Sequence, residues 1–94
     1  MEITADNIKT MDFGEALEAL REGKKVYRQG WNGKGIYILL QKPTDLSLMT
    51  LPYLYIETSY LETDNPNAPK GRVPWLASQT DILAEDWIAV GDSK

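Results

Sequence analysis

The sequence predicts an α+β fold: one main N-terminal helix packed on an antiparallel sheet of four to five strands, with a short second helix near residues 78–84. Three observations predict it. A single capped stretch of helical periodicity lies near the N-terminus, short runs rich in aromatic and β-branched residues follow, and Gly, Pro and Asn clusters separate them. With 94 residues the chain makes one domain. Such a domain buries only roughly 60–65% of its unfolded surface, so its stability leans on strong pairing or on a partner chain. Residues 1–10 read as an N-terminal arm, 11–90 as the domain and 91–94 as a flexible tail.

The main helix is placed at 12–22. Asp12 is an N-cap residue with Glu15 at the capping-box distance, and Phe13, Ala16, Leu17 and Leu20 recur at helical spacing. Arg21 suits the negative end of the helix, and Gly23 is a C-terminal stop. Lys24–Gln29 reads as a short strand, Gly30–Gly35 as a glycine-rich loop, and Ile36–Gln41 as a buried strand ended by Lys42-Pro43. Thr44–Leu51 is a loop, and Pro52 supports the break. Tyr53–Tyr60 is a third strand by its aromatic and β-branched content. Thr63–Lys70 is a Pro/Asn-rich loop, after which Gly71–Pro74 returns as a short strand. Ser78 caps the second helix, with Asp81 at the capping-box distance, and Trp87–Val90 is the last strand, Trp87 belonging to the core.

Composition excludes several functions. The chain has no cysteine, so it has no disulfide framework, thiolate metal site or cysteine nucleophile. It has no histidine, the usual base at neutral pH and the commonest metal ligand. Its net charge of -4 argues against non-specific DNA binding. No apolar stretch approaches the roughly 20 residues of a membrane span, and the start, Met1-Glu2, is not a signal peptide. Asp81, Glu85 and Asp86 lack metal-loop spacing and read as acidic residues of a helical first turn. No cofactor and no metal is expected, and binding is favoured over catalysis.

Two segments can carry binding. In Gly30-Trp31-Asn32-Gly33-Lys34-Gly35 the glycines let backbone N–H groups face a ligand, Lys34 supplies a positive charge, Asn32 a donor and an acceptor, and Trp31 a stacking face. The same loop reads equally as a plain turn whose Trp31 packs on the core. From Arg21 to Lys42 six basic residues, Arg28 among them, stand against the single acid Glu22. That is either an anion-binding patch on an acidic protein or a charged strand edge that resists pairing. In Trp75-Leu76-Ala77-Ser78-Gln79-Thr80-Asp81 four consecutive polar side chains offer partners for ribose hydroxyls, or simply form a helix cap.

The blocks Phe13–Leu20, Gly23–Val26, Trp31–Gly35 and Val73–Trp87 together resemble a small phage and prophage family, the second type of Thoeris anti-defence protein. The resemblance spans roughly residues 11–90. It implies a "sponge" that captures a cyclic ADP-ribose-type immune signal, 1″–3′ glycocyclic ADP-ribose, without degrading it. It further implies homodimers or tetramers, pockets between protomers, and a place in the cytoplasm of the bacterial host. Some relatives capture cyclic di- or trinucleotides at a separate site. Carried to this chain, the ligand-binding positions are Trp31, Asn32, Lys34, Trp75, Ser78, Gln79, Thr80 and Asp81, with Arg28 added on chemical grounds. Trp31 or Trp75 would stack on adenine, Lys34 and Arg28 would hold pyrophosphate, and Asp81, Asn32 and Thr80 would bind ribose. The competing expectations are a sponge for cyclic di- or trinucleotides, a structural or protein-binding module in which both tryptophans simply pack, and, last, an enzyme.

Overall fold

The computed structural model describes residues 9–31 and 34–91. Helix α1 spans Phe13–Arg21 because both halves of its cap are made: the Asp12 carboxylate accepts from Glu15 N–H at 2.8 Å, and the Glu15 carboxylate accepts from Asp12 N–H at 3.1 Å. Gly23 ends it in the left-handed conformation, φ 91°. Its apolar face, Ala16, Ala19 and Leu20, is buried.

Strands β1 (Lys25–Arg28), β2 (Tyr37–Gln41), β3 (Tyr53–Glu57), β4 (Arg72–Pro74) and β5 (Trp87–Val90) form one antiparallel sheet in the order β4-β3-β2-β1-β5. A short helix, α2 (Gln79–Ile82), precedes β5 and is capped by Ser78 with Asp81 in the predicted box. The α+β expectation is met, at five strands and two helices among the described residues.

One boundary moves by three residues. β3 stops at Glu57, three residues short of Tyr60, because Thr58–Leu61 closes a turn (Leu61 N–H to Thr58 O, 3.1 Å) and the Thr58 hydroxyl ties to Gly71. Met11, the first residue after the arm, exchanges both backbone hydrogen bonds with Trp87 on the outer edge of β5. Residues 1–8 of the predicted arm lie outside the described residues, as do the tail residues 92–94.

The pairing register decides which side chains share a face. Val26 lies opposite Ile38 and Ala89, and Ile38 opposite Ile56, so Val26, Arg28, Ile38, Leu40, Leu54, Ile56, Trp87 and Ala89 face α1. There α1 packs on β1, β2 and β5 and closes the core of Ala16, Ala19, Leu20, Val26, Ile38 and Trp87. The other face carries Lys25, Tyr27, Tyr37, Leu39, Tyr53, Tyr55, Glu57, Arg72, Ile88 and Val90. No helix among the described residues covers it, and none is long and apolar enough to cross a membrane.

Candidate functional site

The positions singled out in the sequence divide between the two sides of the sheet. On the helix side Arg28 stands between two carboxylates. Its Nε donates to Asp86 Oδ1 at 2.9 Å and its Nη1 to Asp81 Oδ1 at 3.0 Å. Asp86 Oδ2 also accepts the backbone N–H of Gly30 at 2.9 Å, and a Cβ at residue 30 would lie 2.8 Å from that oxygen. The first glycine of the loop is therefore needed for close approach to a carboxylate. Asp81 Oδ2 accepts from Ser78 N–H and Ser78 Oγ, Ser78 Oγ lies 2.9 Å from Thr80 Oγ1, and the Trp87 indole donates to Asp81 O.

The protonation states follow. Burial pushes Asp81 up, but the backbone and hydroxyl of Ser78, Arg28 and the Trp31 indole outweigh it and hold the carboxyl below its usual range. Burial likewise opposes ionisation of Asp86, and the bonds from Arg28 and the Gly30 amide overcome it. Arg28 is raised by Asp86 first and Asp81 second. Arg28, Ser78 and Asp81 thus have their main hydrogen-bonding groups engaged inside the protein. Asp86 follows α2 instead of belonging to its first turn, so its part is the Arg28 pair and not a helix dipole.

Trp31 and Trp75 complete this side. Both are half-buried, Trp31 edge-on to Trp87 at 5.5 Å between ring centroids and to Trp75 at 6.5 Å, with Phe13 at 5.5 Å from Trp87 and 6.4 Å from Trp75. These tilted and edge-to-face contacts are aromatic packing. Gln79 and Thr80 are exposed on α2, and Asn32 lies outside the described residues.

Lys34 is elsewhere. It borders a cavity of about 550 Å³ on the open side of the sheet, with Lys25, Tyr27, Arg28, Gly35, Ile36, Tyr37, Tyr60 and Val90. Lys25 and Tyr27 from β1 and Tyr37 from β2 are the alternate, outward residues of adjacent strands, which is why they meet. The rim is fixed by a long-range contact: Glu62 N–H donates to Lys34 O at 2.9 Å, and Gly35, at φ 85°, lies so close to the Tyr60 backbone that a Cβ would come within 2.0 Å of its carbonyl oxygen. Only glycine fits residue 35.

The cavity has three basic residues and no acid in its lining. The Arg28 guanidinium is committed to Asp86 and Asp81, which leaves Lys25 and Lys34 as its charges. Lys25 Nζ sits 4.4 Å from the centre of the Tyr37 ring. The Tyr37 hydroxyl is raised by burial first and then by nearby Glu57, so it remains a neutral donor. Glu57 is only 2% exposed, and its charge is matched by an ion pair with Arg72 and a bond from Ser59 N–H. The volume is that of a small-molecule site, and its chemistry is an anion held beside aromatic faces.

Lys25 entered the sequence reading only as one of the six basic residues between Arg21 and Lys42, and Tyr27, Tyr37 and Tyr60 were not singled out. The alternation within Lys25–Arg28 and Tyr37–Gln41 carries the first three once the strand register is known. Nothing local signals Tyr60, which reaches the site only through the contact of its turn with Gly35.

Comparison with known proteins agrees with the resemblance of the motif blocks. The family model described as a Thoeris anti-defense 2-like domain matches residues 11–90. A protein of Bacillus phage SP01 named Thoeris anti-defense 2 is 38% identical over 85 residues, which cover 82% of this chain and 91% of the phage protein.

Proposed function

This chain belongs to the Thoeris anti-defense 2-like family, an anti-defence family, and on that premise we propose that it is a phage sponge for a cyclic nucleotide immune signal. The signal is of the cyclic ADP-ribose type, 1″–3′ glycocyclic ADP-ribose, and the protein binds it intact. The observation that carries this reading is the open-face cavity: Lys25 and Lys34 for a pyrophosphate, Tyr27, Tyr37 and Tyr60 for a base or ribose, and no carboxylate facing the anion. The chemistry fits capture better than turnover, since the chain has no histidine or cysteine, and the carboxylates Asp81, Asp86 and Glu57 are held ionised by hydrogen bonds from Ser78, Gly30 and Ser59 together with their arginine partners. Tight capture needs about -9 to -12 kcal/mol, within reach of a stacked base and several charge-assisted bonds.

Self-association as a dimer or tetramer belongs to the same proposal. The cavity is open to solvent on one side, and a second protomer would enclose it. The protein would act in the cytoplasm of the bacterial host, where such a signal is made.

A cyclic di- or trinucleotide is the second reading, favoured by one feature. A further depression of about 230 Å³ on the same sheet face is lined by Tyr53, Tyr55 and Arg72, whose Nε is paired with Glu57 while 72% of its side chain stays exposed beside the rings.

Calorimetry of the purified protein with the glycocyclic nucleotide tests the proposal. Saturable heat, with the nucleotide recovered intact after denaturation, is expected. No heat, together with no protection of the nucleotide from a Thoeris effector, would sink it. Binding of a cyclic dinucleotide alone would leave the second reading standing.

A further inference from the structure

We propose that Glu57, which lies outside the wall of the open-face cavity, is the residue that positions that cavity's rim: it holds the turn carrying Tyr60 and, through that turn, Lys34. This rests on the reading of the cavity as the ligand site.

Glu57 is the last residue of β3, almost fully buried on a face that no helix among the described residues covers. A carboxylate is a costly choice there, because its charge must be matched inside the protein. Its neighbours in the register explain the charge. Glu57 stands opposite Tyr37 of β2 on one side and Arg72 of β4 on the other. Its two oxygens are divided: Oε1 accepts from Arg72 Nε, and Oε2 accepts from Ser59 N–H at 3.2 Å. Bonds from Ser59 first and Arg72 second outweigh burial and keep the group ionised.

Ser59 lies in the turn 58–61, which is gripped from two sides. On the outer side Thr58 N–H donates to Gly71 O at 2.8 Å, and the Thr58 hydroxyl accepts from Gly71 N–H at 2.9 Å. On the inner side the grip is Glu57. The far end of the turn then builds the cavity. Tyr60 lines it, the Tyr60 carbonyl sits against Gly35, and Glu62 N–H donates to Lys34 O. The Lys34–Glu62 bridge is isolated, so no flanking pairs among the described residues share the task of holding it. The backbone contact at Gly35 leaves no slack between loop and turn. A displaced turn therefore moves Tyr60 and Lys34 together.

The two ties need both carboxylate oxygens. A glutamine at residue 57 has one acceptor, and its NH2 group would face either the Arg72 guanidinium or Ser59 N–H. One tie is then lost. The same carboxylate acts across the strand pair on Tyr37, whose hydroxyl it helps to keep a neutral donor.

The test compares wild type, Glu57→Gln, Arg72→Ala, Lys34→Ala and the Glu57→Gln/Lys34→Ala pair as full chains. Amide hydrogen exchange is read by nuclear magnetic resonance, and affinity by calorimetry with the glycocyclic nucleotide. In Glu57→Gln the Glu62 amide should lose protection ~10-fold, while the Gly30 amide, tied to Asp86 on the helix side, keeps its own. Affinity should fall ~10-fold, and Lys34→Ala should cost less than ~3-fold more in the pair, because the lysine is already out of place. An equal fall at both amides, unmoved Glu62 exchange, or full additivity of the two changes overturns the positioning role. Arg72→Ala alters a mostly exposed side chain, so it keeps the fold should Glu57→Gln lose it. It should show the same selective fall at Glu62, and equal protection in Arg72→Ala and wild type overturns the role. A selective response at Glu62 in a wild type that binds no nucleotide sinks the ligand reading alone; intact binding with unmoved Glu62 exchange sinks the positioning role alone.

Discussion

The two faces of the sheet use charge in opposite ways. On the helix side Arg28 is flanked by Asp81 and Asp86, and their oxygens are further shared among Gly30 N–H, Ser78 N–H and Ser78 Oγ. On the open side Lys25 and Lys34 face a cavity with no carboxylate in its wall. The first arrangement holds the loop and α2 against the core, and it leaves little for a ligand to satisfy. The second leaves charge unspent beside aromatic rings. Presence of a basic residue in a motif therefore says less about binding than whether its partners are already inside the protein.

The largest effects belong to the helix side. Trp87→Ala removes a fully buried ring packed on Phe13, Trp31 and Trp75, along with the indole bond to Asp81 O. A loss of about 3–5 kcal/mol is expected, a large part of the stability of a domain this small. Thermal unfolding should show a fall of more than ~12 °C. Arg28→Ala comes next at about 2 kcal/mol, because it leaves two half-buried carboxylates without their cation. A stability change within about 0.5 kcal/mol for Arg28→Ala, measured by urea unfolding, would dissolve the contrast between the faces.

How much of this was legible in the sequence follows the range of the interactions. Both capping boxes and the glycine stop of α1 depend on residues three apart, and they stand where the sequence placed them. The short strands likewise lie within their predicted runs, with β3 ending early because its turn is closed by Gly71, 13 residues on. The division of the basic stretch was not legible. Lys24 and Lys25 are neighbours in sequence but alternate across the sheet, and Lys34 joins Lys25 only through the loop's contact with Glu62. The tryptophans were legible as aromatic walls, while their edge-on packing with Trp87 depends on where β5 lies. Asp86 shows the limit most plainly: its partner Arg28 is 58 residues away, and no local spacing connects them.

Acid provides a smaller and graded probe of the same contrast. Asp81 and Asp86 are held below the ordinary carboxyl value, so their contribution is present above the unfolded value, about pH 4, and is lost as pH falls through the lower folded values. Unfolding temperature should therefore drop from about pH 4 downward, and Asp86→Asn should flatten that drop while lowering the plateau at neutral pH. An acid limb of the same steepness in Asp86→Asn would place the responsible carboxylates elsewhere.

The smallest effect on stability is expected where binding is expected to suffer most. Lys25→Ala and Lys34→Ala remove charges that have no carboxylate partner across the cavity, and each should change stability by no more than about 0.5 kcal/mol. Lys25 loses in addition its contact with the Tyr37 ring, so of the two it should show the larger stability effect. Each removed cation leaves a phosphate oxygen without its charged donor, which costs about 10-fold in affinity for a pyrophosphate ligand. Together they should cost about 100-fold if the lysines hold separate oxygens, and less if they share one. The measurement is paired: thermal unfolding of the free variants, and calorimetry with the glycocyclic nucleotide. Unchanged affinity in the double variant would move the site to the helix side, where Arg28 would then have to exchange Asp81 or Asp86 for the ligand's phosphate.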